Sequence, residues 1–313
     1  MPIVKFITYY VVLMFLMPIT VLAEEEKTPS HVYQVAEDII SEIEILRESI
    51  GIDDIPNEPE AQRGKAPIHV YGKGLELMEK ISKAQRKLGM TPVEVGEIPL
   101  REVSPGDVFE LVSAILLQLR NMKEQLVISD KIEEAKLVGA KMPSDVYENL
   151  WMASYMLDGL VPPIKPKDVY RNIQYLHGEM RLIATKLGVS LDLNAPEVTG
   201  RKRLKNIGQQ ALFALYKVSE LEKRITGLAA ASVPEVILVR IRSSDIYDLT
   251  NMLMAEMVRL KVHFNIDLPR GNEATPPKVK TNEVFAQMHL VVKNLEKLIK
   301  AVAANAASDA TKK

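Results

Sequence analysis

The sequence predicts an all-α protein made of tandem repeats of about 38 residues, each with one long amphipathic helix and an extended, proline-containing connection. Three observations carry this expectation. A short motif recurs as Pro29-Ser30-His31-Val32-Tyr33, Pro67-Ile68-His69-Val70-Tyr71, Pro105-Gly106-Asp107-Val108-Phe109, Pro143-Ser144-Asp145-Val146-Tyr147, Pro166-Lys167-Asp168-Val169-Tyr170, Ser243-Ser244-Asp245-Ile246-Tyr247 and Thr281-Asn282-Glu283-Val284-Phe285. Tyr33, Tyr71, Phe109 and Tyr147 follow one another at 38 residues, as Phe285 follows Tyr247, and a fixed period of that size marks a stacked repeat. Counted from each aromatic, apolar residues return at −1, +6, +10, +13 and +17, as in Val32, Ile39, Ile43, Leu46 and Ile50; those steps of four and three lie on one helix face and no strand satisfies them.

Taken in order, residues 1–23 read as a secretory signal: Lys5, an apolar run from Phe6 to Leu16, and small residues at Val21-Leu22-Ala23 before three glutamates. An uncleaved anchor is the alternative, and Pro18 with the Val-Leu-Ala site favours cleavage. Residues 24–160 hold the first four repeats, 161–304 the second four, and 305–313 read as a disordered tail, with Pro162-Pro163 between the halves. The expected architecture is two helical bundles or one helical array, with parallel or antiparallel order left open. Ser30, Ser144, Ser244 and Asn282 are expected to cap their helices. Gly51, Gly89 and Gly188, each 18 residues after an aromatic, are expected to end theirs. Tyr170 comes only 23 residues after Tyr147, so the fourth unit is shortened. The sixth has lost its aromatic, and its beginning is placed at Gln209 to Phe213. An extra short helix over Ile132 to Val138 and a strand-like edge over Val236 to Ile241 are further expectations.

Composition narrows the function classes. With 313 residues, 47% hydrophobic and 26% charged, the chain has the balance of a folded protein, and 40 basic against 41 acidic side chains leave no global field for nucleic acid. The absence of cysteine excludes a lipid-anchored lipoprotein, disulfides and thiol chemistry together. No phosphate loop, nucleophile elbow, dinucleotide fingerprint or calcium loop occurs, so no enzyme, cofactor or metal is expected.

The candidate sites are few. Tyr33, Tyr71, Phe109, Tyr147, Tyr170, Tyr247 and Phe285 read as anchors that lock each helix to its neighbourhood. His31 and His69 share a repeat position with acidic residues, a combination able to ligate a metal, yet helix starts also carry plain polar residues. His177, on an apolar stripe near Glu179, is a candidate for acid–base chemistry or a pocket, and His263 is the other histidine considered. Arg201, Lys202, Arg203 and Lys205 form the one dense basic cluster, able to meet an acidic partner or lipid headgroup. Trp151, the sole tryptophan, and Tyr155 lie one turn apart in the shortened unit, where a truncated helix leaves a docking patch or a pocket. The expected function is an exported, periplasmic scaffold or adaptor that binds another protein of the cell envelope. The alternative is a small-molecule-binding or sensory module with its site near Trp151 or His177. Membrane contact is expected only through a retained signal segment or through Arg201 to Lys205.

Overall fold

The computed structural model describes residues 26–236, 238–269 and 276–310, with side chains through 306; the expected signal segment falls outside them. The described residues form eight helices about 38 residues apart and no strand: α1 (Pro29–Ser49), α2 (Pro67–Lys87), α3 (Pro105–Gln125), α4 (Pro143–Leu157), α5 (Pro166–Leu187), α6 (Leu204–Lys223), α7 (Ser243–His263) and α8 (Thr281–Ala310). None of these helices is long and apolar enough to cross a membrane.

The recurring motif is a way of starting a helix. Proline occupies the first helical position of α1 to α5, where its missing N–H is no loss. The third residue then turns back and accepts the N–H of the residue just before the helix. His31 Nδ1 takes it from Thr28 at 3.2 Å and His69 Nδ1 from Ala66 at 2.8 Å. Asp107, Asp145, Asp168, Asn206, Asp245 and Glu283 do the same through an oxygen at 2.6–2.9 Å. The two histidines therefore replace aspartate as amide acceptors.

Ser30, Ser144, Ser244 and Asn282 lie inside the first turn instead of capping it. Three of them hold the connection that leads to a neighbouring helix: Ser30 Oγ accepts the Lys141 N–H at 3.2 Å, Ser144 Oγ the Lys65 N–H at 3.1 Å and Asn282 Oδ1 the Lys202 N–H at 2.9 Å. Each of those lysines also lays its ammonium over the same neighbour's aromatic, Lys141 at 3.8 Å from the Tyr33 centroid, Lys65 at 4.9 Å from Tyr147 and Lys202 at 5.0 Å from Phe285. Lys27 sits over Phe109 in the same way, at 4.9 Å.

α6 begins at Leu204, ahead of Gln209, which puts Gly208 at the aromatic's place. The aromatic is missing because the preceding connection of α7 folds in there: a Cβ on Gly208 would run into the Ile241 side chain, with Leu238 close behind. For the same reason residues 238–241 are turn and coil and not a strand edge. Residues 132–138 form no helix, because α1 side chains hold that backbone. Asp38 Oδ1 accepts the Ala135 N–H and Gln34 Nε2 donates to the Ala135 carbonyl, both at 2.7 Å. At the far end α8 carries its helical backbone to Ala310, through residues where the sequence suggests a frayed tail.

In the first bundle α1 and α2 each pack against both α3 and α4, so the ring order is α1-α3-α2-α4. Pro29, Pro67, Pro105 and Pro143 with Val32, Val70, Val108 and Val146 meet around one apolar void of about 10 Å³, so all four helices start at the same end and run parallel. The connections make this possible. An extended return over residues 50–66, at about 3.3 Å per residue, easily spans a helix of roughly 30 Å. The second bundle repeats the order, with α5 and α6 each against α7 and α8. Asn172 early in α5 bonds Thr250 early in α7, and Glu222 late in α6 meets Arg259 late in α7, which again means parallel helices.

The bundles meet through α2 and α7, and here the direction reverses. His69 faces Glu256, Lys73 faces Asp248, Glu76 faces Asn251 and Glu79 faces Tyr247, so from the start of α2 to its second half the partners move back from 256 toward the start of α7. Because the second bundle points the opposite way, the chain needs no long return between α4 and α5. The shortened fourth unit is the turning point.

Candidate functional site

The seam between the bundles is lined with charge that a sequence reading assigns to solvent. Lys73, Glu76 and Lys80 follow one another by three and four residues along α2, and all are buried. Lys73 Nζ lies 2.9 Å from Glu76 and 3.1 Å from Asp248 Oδ1, and 5.5 and 5.3 Å from the ring centroids of Tyr147 and Trp151. Burial alone would lower its pKa, but Asp248 and Glu76 overcome that and hold it well above the usual lysine value. Lys80 donates to Ser154 Oγ at 2.7 Å and to Asp158 at 2.6 Å, while the Ser154 hydroxyl donates to Glu76 at 2.8 Å. Glu76 is thereby kept ionised, its pKa lowered despite burial by Lys73 and Lys80, and Asp248, buried beside Glu76, is pushed well above the carboxylate range.

A second acidic pair sits further along the same seam. His69 spends Nδ1 on the Ala66 N–H, so its proton is on Nε2, which donates to Glu256 Oε1 at 2.6 Å. Glu222 accepts the Ala231 N–H at 2.6 Å and is hydrogen-bonded to Glu256. Burial first, then the Glu256 charge, push Glu222 up to about 9, so one proton is shared between the two carboxyls at neutral pH.

Beside the second half of α4 the seam opens into a cavity of about 290 Å³ between α4, the first half of α7 and the two connections that cover them. Its floor is Trp151 and Tyr155 from α4 with Asp245, Asp248, Leu249 and Met252 from α7. Glu58, Glu235, Arg240 and Arg242 stand exposed at its mouth, with Glu60 half-buried among them. The Trp151 and Tyr155 rings lie 5.8 Å apart, and Tyr155 donates its hydroxyl to Asp245 at 3.2 Å. Trp151 is 6% exposed, and its indole N–H has no hydrogen-bond acceptor. An unmade bond of this kind costs about 1–3 kcal/mol, and folded proteins rarely leave one.

The two aromatics singled out from sequence thus form the floor of a cavity, not an exposed docking patch. The other candidates lie elsewhere. His177 is buried on α5 and lines a separate cleft of about 120 Å³ with Leu191, Asp192 and Asn294. Arg201, Lys202 and Arg203 line a shallow hollow at the start of α6 and Lys205 is exposed beside them, but Lys202 is committed to Phe285. Of the anchors, Tyr147 and Tyr247 are buried at the seam, while Tyr33, Tyr71, Phe109, Tyr170 and Phe285 are half-buried on their bundles. Among the described residues no group of three or more His, Cys, Asp or Glu side chains is placed to hold a metal ion. Asp248 and the seam network escaped the sequence reading, in which Asp245 is legible only as a helix-start acid. Compared with known proteins, the chain matches no protein-family model, no curated protein and no solved structure.

Proposed function

We propose that this protein is an exported ligand-binding or sensory module in which two helical bundles hold a small molecule at their seam. The observation that carries the reading is a cavity of about 290 Å³, floored by Trp151 and Tyr155 beside Asp245 and Asp248 and large enough for a compact organic ligand. A site between two rigid bodies also suits a sensor, since a ligand touching both biases their relative position. Residues 1–23 supply the case for export to the periplasm. Native mass spectrometry of the mature protein, purified gently from its own cell envelope, is the test. A small-mass adduct that disappears in Trp151→Phe supports the proposal. A bare monomer from the native protein, with ligand-free behaviour unchanged by that substitution, overturns it.

One observation favours the adaptor as a second reading. Phe213 and Tyr216, 46% and 65% exposed, stand one turn apart on α6, away from its bundle. A stoichiometric protein companion in the same spectrum, lost with Phe213→Ser and Tyr216→Ser together, would move the assignment there.

A further inference from the structure

We propose that the outer face shared by α6 and α8 docks on a bilayer surface rich in anionic phospholipid. The proposal is independent of the seam cavity and concerns another part of the second bundle. The two helices meet edge to edge, His289 Nδ1 lying 3.0 Å from Gln210 Oε1 and Lys217 Nζ 3.8 Å from Glu296. The outward stripes beside those contacts therefore form one surface. On α6 it carries Lys205, Gln209, Phe213, Tyr216, Glu220 and Lys223, spaced by four and three residues, and on α8 Lys293 and Lys300 stand one turn beyond His289 and Glu296. The whole chain has a formal charge of -1, yet this surface is basic. Its carboxylates Glu220 and Glu296 are met by Lys217 and Arg224, whereas Lys205, Lys223, Lys293 and Lys300 are exposed and have no ion-pair partner among the described residues. Arg201 and Arg203, also exposed, extend the positive charge beyond the start of α6. A surface of this sign draws an anionic partner. Two features select lipid over an acidic protein. The unpaired cations along the two helices are lysines, which protein interfaces deplete and which anionic headgroups attract without requiring a fixed geometry. Phe213 and Tyr216 are exposed between Lys205 and Lys223, whose positions lie roughly 27 Å apart along the helix axis, so the rings can enter the interface while lysines at both ends reach headgroups.

The mature protein is sedimented with vesicles of mixed phosphatidylglycerol and phosphatidylcholine, and with vesicles of phosphatidylcholine alone. Expected is binding to the anionic vesicles that weakens about tenfold between about 50 and about 300 mM salt, with none to the neutral ones. Lys205→Glu, Lys223→Glu and Lys293→Glu together should weaken the anionic binding by about tenfold or more. If that variant fails to fold by circular dichroism, Phe213→Ser with Tyr216→Ser carries the comparison, with a loss expected at every salt concentration. Equal affinity for the two kinds of vesicle, or anionic binding that survives the substitutions, overturns the proposal. So does failure to bind either vesicle, and a protein companion in the native mass spectrum, lost with Phe213→Ser and Tyr216→Ser, would then give the face to a protein partner. None of these results bears on the cavity, whose reading stands or falls on its own small-mass adduct.

Discussion

Replacing Glu222 by glutamine tests the shared proton at the seam. In the folded protein Glu222 holds its proton up to about pH 9, against 4.5 for an ordinary glutamate. Across that interval the folded chain binds a proton that the unfolded chain has lost. The contribution to stability is therefore complete below 4.5 and is lost as pH rises toward 9, at about 1.4 kcal/mol per pH unit. Between pH 6 and 8 that amounts to roughly 3 kcal/mol. The window closes at 8 because Lys65, lowered to about 8 chiefly by burial, adds stability with the opposite slope above it. Asp248 is raised too and contributes a slope of the same sign, so the informative quantity is the difference between the two proteins. Glutamine imitates the protonated acid: its oxygen can keep the Ala231 N–H and its amide can donate to Glu256. Glu222→Gln is therefore expected to lead the native protein by about 2 kcal/mol at pH 6 and by about 5 kcal/mol at pH 8, a gap that widens by about 3 kcal/mol between them. Urea denaturation at pH 6, 7 and 8, followed by far-ultraviolet circular dichroism, gives that difference. Equal pH dependence in both proteins would show that no proton is held at Glu222 and would refute the reasoning.

Three further substitutions test the packing. Val127 has φ +58° at the position where Gly51, Gly89 and Gly188 end their helices, so Val127→Gly is expected to raise stability by about 1 kcal/mol in the same denaturation assay. No gain there would mean that this β-branched residue is not strained. Lys261, wholly buried, forms an ion pair with Glu179 at 2.7 Å and donates to the Leu268 carbonyl at 2.8 Å, so Glu179→Ala should cost about 3–5 kcal/mol, whereas Lys261→Met with Glu179→Leu should cost much less. Equal losses in the two urea curves would count against an ion pair whose broken half is the expensive state. Restoring the repeat's aromatic with Gly208→Tyr should destabilise by about 2 kcal/mol, since Ile241 and Leu238 fill that space, and a melting temperature equal to the native one would show that they do not.

What the sequence made legible follows from which signals are local. The period, the helix face and the glycine ends depend on residues a few places apart, and Val32, Ile39, Ile43 and Leu46 are buried as that face requires. The lysine six residues before the aromatic was equally visible at 27, 65 and 141, yet its meaning lies in a helix that is not its own: Lys65 serves α4 and Lys141 serves α1. The seam was hidden for a different reason. Lys73, Glu76 and Lys80 have the spacing of a solvated helix face, and only the partner on α7, more than 160 residues away, turns it into an interior. The Trp151 and Tyr155 pair stood out by composition, but Asp245 looked like one more helix-start acid, and it is one: its Oδ2 accepts the Arg242 N–H while its Oδ1 takes the Tyr155 hydroxyl.

The polar seam and the short fourth helix have a common origin in the parallel order within each bundle. Four parallel helices align their dipoles, leaving positive charge at one end and negative at the other, and a second bundle laid alongside in the opposite sense offsets both. That arrangement needs a register, and an apolar seam between two helices would allow neighbouring registers at similar energy. The contacts His69–Glu256, Lys73–Asp248 and Glu79–Tyr247 exclude them, because a slip of one turn would leave buried polar groups without partners at about 1–3 kcal/mol each. A chain reversing between opposed bundles needs no full-length fourth helix, and α4 ends at Leu157 after 15 residues where α1 to α3 each have 21.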